Sequence, residues 1–388
     1  MELLNNLFVN LSQWLQGLLA GFLPEWAAQL VMSLLVVIVL LAMGVVLVLF
    51  FTYMERKIIS RIQDRIGPNR WGPLGLFQPI ADTLKLILKE DTTPAGADRF
   101  GFLLGPILVV VPALLVFSLL PIGRGMVGTD LNVGILFVVA ISSVTTIAIL
   151  TAGWAASNKY ALLSALRTAA QMVSYEVPMV LSILGVVLLT GSLSMVNIVD
   201  SQEQVWFVVA QPIAFLVYFI CALAEINRAP FDIPEAESEI VAGYHIEYSG
   251  VKFAMFFLAE YINTFVVAAI AVSLFLGGWQ GPILPPYVWF FIKAFFLVFV
   301  IMWIRGTLPR LRVDQLMSFA WKFLVPLMLA NILVTGLVLG IVGPYLNDPY
   351  LNTLALLVAN GVLAVVVLAI LFVSNRRAKE RRLQERVA

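Results

Sequence analysis

The densest concentration of groups able to handle protons runs from Glu225 to Glu239, with Glu247 just beyond. Glu225 is followed by Asn227, Arg228, Phe231 and Asp232, and then by Glu235, Glu237 and Glu239 behind Pro234. If Glu235 opens a helix after that proline, Glu235 and Glu239 stack at i, i+4 while Glu237 faces another way. Like charges so spaced repel, and partial burial raises the pKa of at least one of them. A carboxyl group that titrates near neutrality both takes and releases a proton. A solvated acidic loop is the plain alternative, and the Pro, Phe and Ile residues framing the run weigh against it.

Two more carboxylates fall inside apolar runs, where charge is costly unless it faces a polar interior, so each marks an ion or proton path by default. Glu176 lies beside Ser174, Tyr175 and Pro178, and a proline in a span frees a carbonyl and leaves room for water. Glu260 lies about 12 Å past Lys252 along a helix. Lys293, within two turns of Tyr287, reads as a side chain snorkelling to the outer surface. Arg305, Arg310 and Arg312 with Asp314 read, on composition alone, as membrane-surface anchoring. His245 reads as structural in a polar loop, and Cys221 as packing in an apolar span.

With one cysteine and one histidine in 388 residues, the chain cannot supply the roughly four ligands of an iron–sulfur cluster or a structural zinc. It has no internal disulfide, and with so few Cys and His no haem or metal centre is expected in this chain. A net charge of +1 gives no case for nucleic acid.

The elements that must position these groups follow from composition. The chain is 61% hydrophobic and 12% charged, against about 45–50% and about 25% in soluble domains, so its solvent is largely the lipid bilayer. Nine apolar runs of membrane-crossing length occupy 27–53, 100–121, 133–154, 165–190, 206–224, 251–276, 287–304, 323–342 and 353–373. The expected fold is all-α, a polytopic membrane bundle of about nine helices. Residues before Ala27 include no basic residue and do not read as a cleaved signal peptide. No internal repeat is visible.

Of the 24 Lys and Arg residues, 22 fall on one side when loops alternate, counting Arg167 and Lys252 at the starts of their spans with the loops before them; Arg124 falls on the other and Lys293 lies within a span. The positive-inside rule then places the N-terminus outside and the C-terminus in the cytoplasm. The long loops, 56–99, 225–250 and 305–322, all fall on the cytoplasmic side. In the first, Ile59, Ile62 and Ile66 oppose Arg61, Asp64 and Arg65. Farther on, Asp82, Lys85 and Lys89 share a helical face, so two short amphipathic helices are expected at the membrane surface. Residues 1–345 form the expected core of eight spans. Residues 346–388 add a ninth span and a basic tail suited to anionic lipid or a neighbouring protein of the same membrane.

Three ordered motifs carry a resemblance. Glu55-Arg56-Lys57 leads to Arg65-Ile66-Gly67-Pro68-Asn69-Arg70, Gly75-Leu76-Phe77-Gln78-Pro79-Ile80-Ala81-Asp82 and Lys89-Glu90-Asp91. Ala224-Glu225 continues through Arg228-Ala229-Pro230-Phe231-Asp232-Ile233-Pro234-Glu235-Ala236-Glu237 to Glu247-Tyr248-Ser249-Gly250. The third is Arg305-Gly306-Thr307-Leu308-Pro309-Arg310-Leu311-Arg312-Val313-Asp314-Gln315-Leu316-Met317. Over about residues 27–345 the chain resembles the H-type membrane subunits of bacterial NADH:quinone oxidoreductase, respiratory complex I.

The resemblance implies a multi-pass protein of the bacterial cytoplasmic membrane, inactive alone. Its partners would be the peripheral-arm subunits that carry the terminal iron–sulfur cluster and the small membrane-arm subunits. It implies a bound quinone as substrate and no iron–sulfur cluster, flavin, haem or metal in this chain. Glu55, Arg56, Arg65, Asp82, Arg228, Phe231 and Asp232 would shape the quinone path, with Arg310 and Arg312 supporting the same chamber. Glu225, Glu235, Glu237 and Glu239 would lead protons toward Glu260 and Glu176. Where some relatives carry another carboxylate in the third span, this chain has Ser142, Ser143, Thr145 and Thr146. A quinone route needs an apolar entrance near the bilayer and polar groups deeper in, which suits the amphipathic first loop. Two other identities fit less of the pattern: the equivalent membrane component of a membrane-bound hydrogenase or ferredoxin-dependent oxidoreductase, and a secondary transporter, which usually shows paired repeats.

Overall fold

The computed structural model describes residues 7–234, 243–341 and 348–387. The described residues are helical apart from loops and one isolated bridge between Gly123 and Met126. The helices are α1 (Leu7–Phe22), α2 (Glu25–Ile62), α3 (Gln78–Leu88), α4 (Arg99–Ser118), α5 (Gly134–Ala155), α6 (Lys159–Thr190), α7 (Pro212–Glu225), α8 (Gly250–Phe275), α9 (Pro286–Thr307), α10 (Val313–Ile341) and α11 (Pro349–Val387). Among these, eight are long and apolar enough to cross a membrane: α2, α4, α5, α6, α8, α9, α10 and α11.

Burial explains the arrangement. α8 is the most buried of the long helices, with Phe265, Ala269, Val272, Leu274 and Phe275 all closed off. The outer helices turn Leu34, Ile38, Val46, Ile147, Phe296, Leu333 and Val365 outward. So much exposed apolar surface on a chain of this kind is the face a bilayer covers. Helices approach closely where small residues meet. A Cβ added at Gly153 of α5 would come within 2.4 Å of the Ala165 Cβ on α6, and one at Gly105 of α4 within 2.9 Å of the Ala152 Cβ. Without a hydrophobic drive between helices in lipid, such backbone approach is what association rests on.

The structure departs from the sequence-based expectations in several places. The Ile59, Ile62 and Ile66 stretch is no separate surface helix, because α2 continues without a break to Ile62. The second expected amphipathic helix is present as α3. The apolar run 206–224 is a broken helix: Phe207–Ala210 ends at Gln211, whose backbone leaves the helical region before Pro212 starts α7. Gln211 is buried there and donates from Nε2 to Thr335 Oγ1 at 2.9 Å. α10 starts ten residues ahead of the expected 323 and contains a π-helical turn at Ala320–Leu324. α1 has no counterpart among the apolar runs of the sequence.

Lys293 is the clearest correction. It does not snorkel; it is 8% exposed, and its Nζ donates to the carbonyls of Leu276, Gly278 and Gln280 at 2.7, 3.1 and 2.7 Å. Those carbonyls belong to the end of α8 and the turn beyond it, where unpaired acceptors accumulate. The ammonium also lies 4.4 Å from the Trp206 ring. α11 docks through a buried polar clasp: Asn331 Nδ2 donates to Asn360 Oδ1 at 2.7 Å, and Asn360 Nδ2 reaches the Ala210 carbonyl at 3.1 Å.

Candidate functional site

Residues far apart in sequence converge where α2, α8, α9 and the loop after α7 meet. Glu55, near the end of α2, is buried at 5% exposure. It accepts from Arg228 Nη1 at 2.6 Å through Oε2, and from Arg305 Nη1 through Oε1. Arg228, 3% exposed, also pairs through Nε with Glu260 Oε1 at 2.8 Å, and its guanidinium lies 4.7 Å from the Tyr261 ring centre. Burial works against the charge on Arg228. Glu260 first and Glu55 second outweigh it and hold the pKa well above that of an ordinary arginine.

The loop that delivers Arg228 is held from α6. Gln171, 1% exposed, donates from Nε2 to the carbonyls of Ala224 and Phe231 at 2.8 and 2.9 Å. Phe231 packs edge-on against Tyr175 with ring centres 5.2 Å apart, and Ser164 donates to the Pro234 carbonyl at 3.3 Å. The Leu311 amide donates to the Pro230 carbonyl at 3.1 Å, which fixes the segment carrying Arg310 and Arg312 against the same loop. Asp232 lies on that loop, one residue past Phe231.

Arg56 and Asp82 form a 2.5 Å ion pair that joins α2 to α3 at a more exposed position. Asp82 also accepts from Gln78 at 3.2 Å, and the Tyr53 hydroxyl donates to the Leu74 carbonyl at 3.1 Å. Gly75 makes the intervening turn possible, since with φ +82° an added Cβ would lie 2.3 Å from the Pro68 carbonyl oxygen. The end of this loop is fastened to α8: the Thr92 amide donates to Ser249 Oγ at 3.0 Å, Ser249 Oγ donates to the Glu90 carbonyl at 3.2 Å, and Lys252 pairs with Asp91 at 3.0 Å. Arg65 is exposed and bonds Gln63 at 2.7 Å, outside the buried cluster.

Two small cavities, walled largely by apolar side chains with a few polar groups among them, lie inward of the cluster. The first, of about 50 Å³, is lined by Glu260, Asn227, His245, Glu225, Asn263 and Thr145. A second, of about 40 Å³, shares Glu225, Thr145 and Asn263 and extends to Ser142 and Tyr218. Each has room for a few waters, which need about 10–15 Å³ apiece. Beyond them Glu176 accepts from Ser143, and Ser142 and Glu225 face each other on the second cavity. His245 lies among Tyr244, Phe253, Phe256 and Phe257, and burial pushes its pKa down to about 4, so it is neutral at pH 7.

The structure therefore brings Glu55, Arg228 and Glu260 into one cluster, and Glu225 and Glu176 into a second group reached through the cavities. Glu235, Glu237 and Glu239 lie outside the described residues. Arg305, Tyr261 and Gln171 join the site without having been expected there from sequence. Only Arg305 had a signal, its place at the head of the third motif.

A family model described as NADH dehydrogenase matches residues 34–336. The chain is 51% identical to the H subunit of NADH-quinone oxidoreductase from Dehalococcoides mccartyi (strain CBDB1) over 339 residues, covering 87% of this chain and 94% of that protein. It is 52% identical over 299 residues to the second of the H subunits of NADH-quinone oxidoreductase from Geobacter sulfurreducens, covering 75% and 91%. It is 51% identical over 323 residues to the corresponding H subunit from Brevibacillus brevis, covering 82% and 96%. A match over this much of both sequences, on an all-helical framework with eight helices of membrane-crossing length, settles membership: the chain belongs to the family of NADH-quinone oxidoreductase H subunits, membrane components of bacterial complex I.

Proposed function

We propose that the loop face of this chain forms, with peripheral-arm subunits, the chamber in which a quinone head is reduced, and that the carboxylates within the bundle begin a proton route into the membrane arm. The observation that carries the reading is Arg228, a buried guanidinium that joins Glu55 to the intramembrane Glu260, the carboxylate that lines a cavity shared with Glu225. Arg56, Asp82, Phe231, Asp232, Arg310 and Arg312 stand around the same loops and would shape the approach of the head. Arg65, exposed beside Gln63, would act at its outer rim. A quinone gains two electrons and two protons on reduction. The electrons come from partner subunits that carry iron–sulfur clusters, and this chain guides the quinone and the protons.

The basic residues set the proposed orientation, N-terminus outside and C-terminus in the cytoplasm, in the bacterial cytoplasmic membrane. Residues 1–345 carry the function, with Glu235, Glu237 and Glu239 placed by sequence on the chamber side. Residues 346–388 add a peripheral helix and a tail for anionic lipid or a neighbouring protein of the complex. In membranes carrying the assembled complex, Glu225→Gln should depress NADH-driven quinone reduction and proton pumping together while NADH-driven ferricyanide reduction persists. Full pumping in that variant removes the proton route. A photoactivatable quinone analogue should label this chain on the α2–α3 loop, and an active complex without label removes the chamber.

A further inference from the structure

We propose that the adjacent hydroxyls of Ser142 and Ser143 on α5 carry protons between Glu225 and Glu176, replacing a carboxylate with a hydroxyl pair at this step. The proposal rests on the proton-route reading above and names its passage from α7 to α6. Ser142 and Glu225 line the same small cavity, which joins them on the loop side of the gap. Ser143 donates to Glu176 Oε1, which closes the far side. Both hydroxyls also lie within hydrogen-bond distance of one acceptor, the Val139 carbonyl, at 2.9 and 3.1 Å, so their oxygens are at most about 6 Å apart, the span that one bridging water covers. Ser142 lines the cavity that also touches Glu225, Thr145 and Asn263, so water has room beside the Ser142 hydroxyl.

The two carboxylates lie on different helices and repel each other electrostatically. A proton shared between them lowers that repulsion wherever it resides, so passage needs a conduit and little net driving force. A serine hydroxyl provides one because it has one donor and two acceptor positions. The protonated Glu225 carboxyl gives its proton to the Ser142 oxygen as the Ser142 O–H passes its own proton to the bridging water. The water protonates Ser143 Oγ as the Ser143 O–H gives its proton to the Glu176 carboxylate. One O–H bond breaks and one forms at each bridging oxygen, no electron moves, and the net result is one proton transferred from Glu225 to Glu176. Rotation of the hydroxyls restores the starting orientation.

The test uses the assembled complex in proteoliposomes with four variants. Ser142→Ala/Ser143→Ala should slow coupled quinone reduction and pumping by about a hundredfold, the lower end for losing a positioned proton-transfer group, with ferricyanide reduction unchanged. Ser142→Thr/Ser143→Thr keeps both hydroxyls and should recover pumping to within about twofold of the parent. An alanine pair with parental pumping overturns the proposal, and so does a threonine pair as impaired as the alanine pair, which would assign the loss to packing. Glu225→Gln and Glu176→Gln separate the two claims. If they impair pumping and the alanine pair does not, the carboxylate route stands and the hydroxyl bridge falls. If neither impairs it, the route itself falls.

Discussion

Replacing Arg228 by methionine is the most direct perturbation of the cluster, because it removes one charge while keeping much of the side-chain volume. The four groups Glu55, Glu260, Arg228 and Arg305 balance two negative charges with two positive ones. Without Arg228, Glu55 keeps Arg305 and Glu260 loses its buried cation. Removing one partner of a buried pair costs about 3–5 kcal/mol, a large share of the roughly 5–15 kcal/mol that holds a typical fold. Arg228→Lys keeps the charge but cannot span both carboxylates as the guanidinium fork does, so it should cost about 1.5–3 kcal/mol, one charge-assisted hydrogen bond. Arg228→Met/Glu260→Gln restores balance and should recover part of the methionine loss. The assay is the temperature at which the complex loses NADH-driven quinone reduction in membranes, read beside the amount assembled on native gels. The reasoning fails if Arg228→Met assembles fully with parental heat resistance, or if the double variant is worse than the single by the full cost of a second independent lesion.

Lys293→Met should lower heat resistance by the equivalent of about 1–3 kcal/mol, the cost of leaving buried acceptors unpaired, while turnover at low temperature stays near parental; a loss of turnover without loss of heat resistance would contradict the structural role of the carbonyl cage. Gly153→Ala should cost about 1–3 kcal/mol by forcing α5 and α6 apart, visible as reduced assembled complex, and a normal yield would show that the contact with Ala165 relaxes freely. Because burial lowers the His245 pKa from 6.5 to about 4, the unfolded chain binds more protons between those values. The stability of the folded state is therefore undiminished above pH 6.5, declines as pH falls through that window, and levels off below pH 4. His245→Phe should flatten the acid side of the stability profile of the complex, and an unchanged profile would count against neutral burial of the ring.

Sequence made the carboxylates legible because an acidic group in an apolar run is rare, and Glu176 and Glu260 do lie within long apolar helices. It could not show their partners. Glu55 and Arg228 are 173 positions apart, and Glu55 and Arg305 are 250 apart, so their pairing depends on helix packing rather than periodicity. Lys293 misled for a related reason: distance from a span end does not reveal whether a neighbouring turn folds back to offer carbonyls. Likewise Ser142 and Ser143 looked like a loss beside the carboxylate carried by some relatives, and the contact of Ser143 with Glu176 on α6 emerges only from the packing of α5 on α6. Apolar length found the spans, but it hid the break at Gln211, since a buried glutamine paired to Thr335 permits a helix to stop within an apolar run.

The fastening of the first loop to the start of α8 has a mechanical consequence. Thr92, Glu90 and Asp91 grip Ser249 and Lys252, and Glu260 stands about 12 Å farther along the same helix. A helix is stiff along its axis, so a pull or push on the loop that carries Asp82 reaches Glu260 as displacement of a rod. Anything that presses on this loop from outside the membrane therefore has a lever arm into the bundle, without a chain of side-chain rearrangements in between.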